Sequence, residues 1–420
     1  MFLRDEEKAM LDGHQGHGVQ KAMDLLVKLG ECFGAERMVK VNWTHTILDG
    51  LPYDFFQAVT EGAKPGPRVT LHPGWQPEKW KEIGLTTGPR ADIFIERHNQ
   101  RLEIAKRLKW NITETCAEYL LGYIPKKGDV IAMTGTCMQV ANNSLYGALV
   151  NRAGDLSTVA SAVTGVTPYM GLMLPQNRYA HVLVKLEKGL DFNNWREMHY
   201  SCLGYFIGNQ VLGYKNVVID GLPRNLPFEY ARAVVISHPV SGAVTLVHIV
   251  GVTPEAPTLE AVLSRKPEQT IVVGKRELKR TWEELNVHEG DVVEHVAIGC
   301  PHCSIEEIRH LGSLIKGRKL KASLAIGAGN EVVAKTREMG YTQPIEEAGG
   351  VFLNCCIGVG DPFISTYYAA EKAVKSSATN GARAAHYQAR TMDVAVFLGT
   401  EEECIEAAVT GKWEGREPEW

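Results

Sequence analysis

The segment Glu294–Gly317 reads as a short strand, a cysteine-containing turn and an amphipathic helix. Its apolar run Val296–Gly299 predicts the strand, which the turn Cys300–Cys303 ends abruptly. Ser304 and Glu307 have the spacing of a capping box, and apolar residues follow at helical intervals. Cys300 should therefore lie where a strand ends and a helix begins, which is where open α/β sheets hold ligands. Because a helix N-terminus lowers the pKa of a thiol, this turn suits metal or redox chemistry, with a buried structural thiol as the alternative.

Similar strand–helix pairs recur along most of the chain. Val130–Met133, for example, is followed by the helical pattern Met138–Val150, and Thr366–Ala389 reads as one long helix. Such alternation predicts an α/β fold in which mostly parallel sheets are covered by helices on both faces.

Length and composition narrow the class of protein. We place the first α/β lobes, with the Cys116 motif, at residues 1–225 and the second lobe, with the Cys300 and Cys356 motifs, at 226–420. The formal net charge of −4 provides no basic field for nucleic acid or for an anionic membrane. No apolar run reaches the length of a membrane span, and the N-terminus lacks the apolar segment of a secretory signal. We therefore expect a cytoplasmic protein.

Nine cysteines are scattered along the chain, an odd number without the dense spacing of a disulfide framework. Three sites fall in turns or after predicted strands: Cys116, Cys300 with Cys303, and Cys355 with Cys356. Thiolates from separate segments suit an iron–sulfur cluster with an open iron position, or an iron or zinc ion with an exchangeable ligand. A closed zinc site made of Cys300, Cys303, Cys355 and Cys356 is the alternative.

Six longer motifs follow one another along the chain. They are TCAEYLLGYIPKKGDVIA at 115–132, ANNSLYGALVNRAG at 141–154, SGAVTLVHIVGVTPEA at 241–256, GCPHCSIEEI at 299–308, GYTQPIEEAGG at 340–350 and TNGARAAHY at 379–387. Together they resemble the catalytic large subunit of the aconitase X family, in the family's order and over nearly the whole chain.

The resemblance implies an aconitase-like, multi-lobed α/β/α core that lacks the small swivel domain. It also implies that a separate small subunit supplies this domain, together with the serine that serves as the catalytic base. The implied cofactor is an iron–sulfur cluster (2Fe–2S or 4Fe–4S) or a mononuclear iron. The family's ligand positions fall on Cys116, Cys300 and Cys356, and further candidates are Cys303, Cys355 and Cys137.

Known activities in the family are the dehydration of cis-3-hydroxy-L-proline and of mevalonate 5-phosphate. In such a reaction a Lewis-acidic iron assists departure of the hydroxyl, while a base removes the neighbouring C–H proton. The resemblance thus implies a metal-dependent hydro-lyase large subunit acting on a small hydroxylated carboxylate, in the first place one like cis-3-hydroxy-L-proline. The alternatives are dehydration of mevalonate 5-phosphate, and an iron–sulfur or zinc subunit of the same fold that does not dehydrate.

Polar residues beside the cysteine motifs are candidate substrate contacts. An arginine guanidinium pairs bidentately with a carboxylate, and backbone N–H groups at a helix start attract anions. The candidates are His45, Asn143, Ser144, Asn151, Arg152, Asn380 and Arg383. An ordinary solvated polar face is the alternative for each of them.

The chain departs from the family pattern at substrate-facing positions. Where members carry a serine-rich WSESSA-type segment, this chain has Met133–Met138, which contains Cys137. A thiol there could be a fourth metal ligand that closes the iron. The GART-type segment before Asn151 has become Gly147–Val150 and lacks its arginine, so a donor for a phosphorylated substrate is missing.

Overall fold

A computed structural model describes residues 1–48, 52–65, 68–73, 89–211, 214–364 and 374–420. Its framework is three sheets of parallel strands, one in each of three lobes, with helices packed against them. The predicted α/β class with mostly parallel sheets is confirmed. None of the helices in these ranges is both long and apolar enough to cross a lipid bilayer.

The first lobe contains a four-stranded parallel sheet and a two-stranded antiparallel ribbon. Its elements are α1 (Asp5–Leu11), α2 (His17–Cys32), β1 (Met38–Lys40), β2 (Trp43–Thr46), α3 (Tyr53–Thr60), β3 (Val69–Leu71), α4 (Pro89–Arg107), β4 (Val130–Met133), α5 (Thr136–Leu145), β5 (Leu149–Val150), α6 (Asp155–Thr164) and β6 (Val166–Pro168). The sheet order is β3-β2-β4-β5, and β1 pairs with β6 in the ribbon. One edge of the sheet, at the carboxyl ends of its strands, carries His45, His72 and the turn before Cys137.

The second lobe is a parallel sheet in which glycines allow two helices to pack closely. Its elements are β7 (Val182–Leu186), α7 (Glu197–Gln210), β8 (Val217–Asp220), α8 (Phe228–Gly242), β9 (Val247–Ile249), α9 (Leu259–Val262), β10 (Gln269–Val273) and α10 (Lys275–Leu285). The sheet order is β10-β7-β8-β9. A Cβ on Gly204 in α7 would lie 2.0 Å from the carbonyl oxygen of Val234 in α8, so only glycine permits this approach.

The third lobe has a five-stranded parallel sheet. Its elements are β11 (His295–Ile298), α11 (Ile305–Ile315), β12 (Ser323–Gly327), α12 (Asn330–Glu338), α13 (Gln343–Ala348), β13 (Val351–Leu353), β14 (Ser376–Thr379), α14 (Ala382–Arg390), β15 (Ala395–Leu398) and α15 (Glu401–Thr410). The order is β13-β12-β11-β14-β15. The predicted strand–turn–helix unit is confirmed as β11, the Cys300 turn and α11. Its capping box is present, since Ser304 N–H donates to Glu307 Oε2 at 2.7 Å and Glu307 N–H donates to Ser304 Oγ at 3.3 Å.

The predicted long helix at Thr366–Ala389 is wrong at Ser376–Thr379 and correct from Ala382 onward. β14 (Ser376–Thr379) lies inside that range as an inner strand of the third sheet, and α14 begins only at Ala382. Residues 366–373 of the prediction lie outside the described residues. β14 reads Ser-Ser-Ala-Thr and is buried. Small polar residues fit there, but they lack the apolar run by which a buried parallel strand is recognised in a sequence.

Candidate metal centre

Cys116 and Cys137 form the first-lobe half of a group of four cysteines. Cys116 lies just before the short 3-10 turn Glu118–Leu121, and Cys137 lies in the first turn of α5. Both side chains are buried, and they hydrogen-bond each other. The backbone N–H of His302, from the third lobe, donates to the Cys116 sulfur at 3.3 Å. Cys116 therefore lies where the first and third lobes meet.

Cys300 and Cys356 form the third-lobe half. Cys300 follows β11 and Cys356 follows β13, so both leave the same edge of the parallel sheet. Their side chains hydrogen-bond each other. Gly358 makes room for this pair, because a Cβ on it would lie 3.2 Å from the Cys300 sulfur and 3.3 Å from the ring of Tyr387.

The two pairs interact electrostatically with each other. The charge of Cys356 acts on Cys116, and the charge of Cys137 acts on Cys300. We call Cys116, Cys137, Cys300 and Cys356 the cysteine group. The structure thus brings together the three cysteines at the family's ligand positions, from three separate segments, and it adds Cys137 to them.

The cysteine group is arranged as two pairs and not as one compact tetrahedron. No three of its sulfurs lie within 4.8 Å of one another, whereas the carboxylates of Glu197, Glu307 and Glu401, also among the described residues, meet that limit. A single tetrahedral ion needs all its sulfurs about 3.8 Å apart, because metal–sulfur bonds are about 2.3 Å long. A cluster with bridging sulfides accepts a wider spread of cysteines. The donor set therefore fits an iron–sulfur cluster.

Arg383, at the start of α14, supplies positive charge to the cysteine group. It is 7% exposed, and its Nη1 donates to Thr136 Oγ1 at 3.4 Å. The hydrogen bond with Cys116 lowers the pKa of Cys137, and the charge of Arg383 lowers it further against the effect of burial. The hydrogen bond with Cys300 and the charge of Arg383 lower the pKa of Cys356 in the same way. Two of the four thiols therefore favour the thiolate form that binds metal.

His302 links the first-lobe and third-lobe segments that carry the cysteines. Its Nε2–H donates to the carbonyl oxygen of Cys355 at 3.0 Å, and its Nδ1 accepts from the Thr115 hydroxyl at 3.0 Å. Burial lowers the pKa of His302 to about 4, so the ring is neutral with its proton on Nε2. His302 was not among the residues selected from the sequence, although its place between two cysteines was the signal that could have found it.

Cys303 and Cys355 are buried in different apolar clusters on opposite faces of the third sheet. Burial raises the pKa of the Cys303 thiol, and its backbone N–H donates to the Gly327 carbonyl at 2.8 Å. The groups that act on the charge of Cys303 are Glu307, Glu197, Arg232 and Glu401, so the structure places Cys303 outside the cysteine group, whereas Cys300 packs against the cluster that contains Cys355. The structure also does not form the alternative zinc site, because no three sulfurs of Cys300, Cys303, Cys355 and Cys356 lie within 4.8 Å of one another.

His45 lies at the edge of the site but is fully buried, with both ring nitrogens engaged. Its Nδ1 lies 2.9 Å from Thr70 Oγ1, and its Nε2 lies 3.0 Å from His72 Nδ1. Burial lowers the pKa of His45 to about 3. His72 packs against Gly135, where an added Cβ would come within 2.7 Å of the ring, and it interacts electrostatically with Arg383. His72, which was not selected from the sequence, is thus the residue that His45 holds beside the cysteine group.

Asn143 and Ser144 make contacts within the joint between the first and second lobes. Asn143 Nδ2 donates to the Thr245 carbonyl at 3.1 Å, and Arg178 Nη1 donates to Asn143 Oδ1 at 3.0 Å. Ser144 Oγ accepts from the Val247 N–H at 2.9 Å. The structure places both side chains in this joint and neither in the cysteine group.

Asn151 and Arg152 line a cavity of about 940 Å³ between the first and second lobes. The backbone of the following segment holds Asn151, since its Oδ1 accepts from the Leu172 N–H at 2.8 Å and its Nδ2 donates to the Met170 carbonyl at 3.0 Å. Arg152 is exposed. Asn151 follows β5, at the same sheet edge as the turn before Cys137.

Asn380 joins a network of carboxylates between the second and third lobes. Its Nδ2 donates to Glu197 Oε2 at 3.2 Å and to Glu401 Oε1 at 3.4 Å. Arg232 pairs with Glu307 in the same network, at 2.5 Å. Burial raises the pKa of Glu401 to about 8, so this carboxyl holds a proton at neutral pH. Of the seven predicted substrate contacts, Arg383 is the one whose charge acts directly on the cysteine group.

Comparison with known proteins identifies relatives over almost the full length of the chain. Models of the aconitase X first, second and third domains match residues 1–176, 180–283 and 293–410. The chain is 30% identical to the phosphomevalonate dehydratase large subunit of Methanocaldococcus jannaschii, over 96% of this chain and 99% of that protein. It is 27% identical to the cis-3-hydroxy-L-proline dehydratase of Pseudomonas aeruginosa, over 99% of this chain and 71% of that protein.

A solved structure has the same fold. The holo-form of Thermococcus kodakaraensis aconitase X matches with a TM-score of 0.84 and 29% identity, over 97% of this chain and 100% of that one. The fold, the gathered cysteines and the relatives together define a hydro-lyase of the aconitase superfamily. Within that class, the chain belongs to the aconitase X family.

Proposed function

We propose that this chain is the large subunit of a metal-dependent dehydratase that removes water from a small hydroxylated carboxylate. The observation that carries the proposal is that Cys116, from the first lobe, lies close to Cys300 and Cys356, from the third. Cys300 and Cys356 follow the carboxyl ends of two parallel strands. When bound there, an iron centre supplies a Lewis acid that polarises the substrate hydroxyl. All nine cysteines are free thiols, which fits a reducing cytoplasm.

The protein's own groups have separate roles in this proposal. Cys116, Cys300 and Cys356 hold the iron centre as thiolates. Arg383 offsets their negative charge and attracts the substrate carboxylate. His72, held by His45 through its Nδ1, has a neutral ring because burial and the charges of His45, His302 and Arg383 lower its pKa, so its role is to hydrogen-bond and orient the substrate hydroxyl.

A small subunit completes the active site in this proposal. Relatives matched over 99–100% of their length are named large subunits, whereas the chain covers 71% of the cis-3-hydroxy-L-proline dehydratase of Pseudomonas aeruginosa. The remaining part of that longer relative is where a domain equivalent to a small subunit fits. We propose that a swivel-type small subunit binds this chain and brings the serine base that removes the C–H proton.

We propose cis-3-hydroxy-L-proline, or a closely similar hydroxy acid, as the substrate. The segment Gly147–Val150 lacks the arginine of the family pattern, which removes a donor that a phosphate group would use. Mevalonate 5-phosphate is the second candidate, because the phosphomevalonate dehydratase large subunits of Methanocaldococcus jannaschii and Thermococcus kodakarensis match this chain at 30% and 31% identity over nearly their whole length.

A dehydration assay with matched cysteine variants tests the proposal. The chain is purified anaerobically with its small subunit, loaded with iron and sulfide, and incubated with each candidate substrate while water loss is followed by mass spectrometry. We expect dehydration of cis-3-hydroxy-L-proline, its loss together with bound iron in Cys116→Ser, and no change in Cys202→Ser, whose thiol is also buried, in α7. An iron-loaded complex that dehydrates neither substrate would contradict the proposal.

A further inference from the structure

The cavity of about 940 Å³ between the first and second lobes lies apart from the cysteine group. Its walls come from the end of α2, one face of α6, the segment 167–181 and the loops that precede the strands of the second sheet. Among the described residues that line it, none belongs to the cysteine group, and none is His45, His72 or Arg383. A cavity of this volume holds a drug-sized ligand, which is much larger than a proline-like substrate.

The charged side chains in the walls are cations. Arg152 and Arg265 line the cavity, and within the described part of the chain no aspartate or glutamate does. Arg152 donates to the Ala243 carbonyl at 3.4 Å, and Arg265 pairs at 3.4 Å with Glu268. Lys215 also pairs with Glu268, at 3.3 Å. Because a guanidinium has five N–H donors, most donors of both arginines stay available, and the cavity favours a negatively charged ligand.

Two neutral donors in the walls have no partner within the described ranges. Ser161 is 1% exposed and its hydroxyl makes no hydrogen bond, whereas Thr158 and Thr164 of the same helix donate to carbonyl oxygens of that helix at 2.9 and 2.8 Å. His181 Nδ1 accepts from the Asn216 N–H at 3.1 Å, so its proton is on Nε2. Buried polar groups are normally hydrogen-bonded, because burial without a partner costs free energy. An acceptor atom of a ligand supplies the missing partner.

Three exposed aromatic rings also line the cavity. Phe33 is 68% exposed, Tyr179 43% and Tyr214 83%, and they come from three separate segments of the chain. Scattered exposed apolar side chains are ordinary, but a group of them at one cavity indicates a binding site. Aromatic faces stack on the planar rings of ligands. Gln176 and Thr245 add an amide and a hydroxyl to the same walls, so a polar planar ring fits better than a hydrocarbon chain.

We propose that this cavity binds a mononucleotide, that is, an anion of drug-like size with a planar polar ring. Arg152 and Arg265 pair with its phosphate, and the exposed aromatic rings stack on its base. The Ser161 hydroxyl and the His181 Nε2–H donate to its oxygen or ring nitrogen atoms. This site goes beyond the proposed function, because binding there needs neither iron nor turnover.

Calorimetric titration of the full chain, alone and in complex with its small subunit, tests the proposal with AMP, GMP, CMP and UMP as probes. We expect at least one of them to bind once per chain with a Kd below about 100 μM, and its nucleoside and ribose 5-phosphate to bind at least about 10-fold more weakly. Arg265→Gln should weaken nucleotide binding by about 10-fold, the usual effect of losing one charge-assisted hydrogen bond. Arg276→Gln, which changes an exposed arginine outside the cavity, is the matched control and should bind as wild type does.

Several results would overturn the proposal. They are the absence of binding by all four nucleotides at about 1 mM, equal affinity for ribose 5-phosphate, or equal weakening in Arg265→Gln and Arg276→Gln. Displacement of the nucleotide by cis-3-hydroxy-L-proline would overturn it by making the cavity part of the substrate site. Loss of binding in the complex would overturn it by making the cavity a docking surface for the small subunit. The dehydration assay is independent of these results, because the titrations use protein without iron.

Discussion

Single residues around the cysteine group decide how readily its thiols ionise. Arg383 was predicted as a substrate contact from its place near a helix start, and the structure puts its charge beside Cys137 and Cys356. His302 fixes the backbone of the cysteine segments through one donor and one acceptor contact. These roles depend on contacts between residues more than a hundred positions apart in some cases, which spacing within a motif does not reveal.

We predict that Arg383→Gln weakens iron binding by about 10- to 100-fold, the usual effect of removing a group that supports metal ligands. The physical reason is the loss of a buried positive charge that favours thiolates. The measurement is the chelator concentration that removes half of the iron. Arg390→Gln, at the exposed end of the same helix, is the control and should retain iron as wild type does. Equal loss in both variants would contradict the role of Arg383.

We predict that His45 makes stability fall in mild acid. The pKa of His45 in the folded protein is about 3, against an ordinary value of 6.5. Below pH 6.5 the unfolded chain therefore binds a proton at His45 that the folded protein does not bind. The free energy of unfolding is therefore unaffected by His45 above pH 6.5 and decreases as the pH falls toward 3. Between pH 6.5 and 5 the loss from His45 is roughly 2 kcal/mol.

The test compares the pH dependence of urea unfolding in wild type, His45→Gln and the exposed control His14→Gln. Glutamine keeps a donor and an acceptor near Thr70 and His72 but takes up no proton. His45→Gln should therefore show a flatter pH dependence than wild type, whereas His14→Gln should follow the wild-type curve. Parallel curves for wild type and His45→Gln would show that His45 is not held neutral.

At the scale of helices and strands, the sequence predicted those features that interactions between residues close in sequence produce. The α11 capping box was visible in the sequence because Ser304 and Glu307 lie three residues apart, and the structure has both of its hydrogen bonds. β14 was missed because its burial comes from neighbouring strands and not from its own apolar residues. The ion pair of Glu307 with Arg232 was not predictable either, because it joins α11 to α8 across 75 residues.

We predict that Glu307→Ala lowers the free energy of unfolding by roughly 3 kcal/mol, because it leaves the buried Arg232 without its hydrogen-bonded carboxylate and removes half of the capping box. The neighbouring Glu306→Ala removes only the exposed pair with Arg309 and should change stability by less than about 0.5 kcal/mol. The measurement is the urea midpoint of the two variants against wild type. Equal midpoints for the two variants would contradict the structural role of the Glu307–Arg232 pair.

At the scale of the whole molecule, the cysteine group exists because lobes meet. The alternation of strands and helices predicted mostly parallel sheets but not their number, and the family resemblance predicted that Cys116 would meet Cys300 and Cys356. The sequence did not reveal that Asn143 and Ser144 hydrogen-bond the second lobe. A polar residue on a helix gives the same sequence pattern whether it contacts substrate or a neighbouring lobe. It also did not reveal the pairing of the sulfurs, which depends on how the first and third lobes are placed.

The most direct test of the central claim is anomalous diffraction at the iron absorption edge from crystals of the anaerobically reconstituted complex. We predict an iron peak enclosed by the sulfurs of Cys116, Cys300 and Cys356. An iron peak elsewhere, for example at the carboxylates of Glu197, Glu307 and Glu401, or no iron peak in active protein, would contradict the claim that these cysteines hold the catalytic metal.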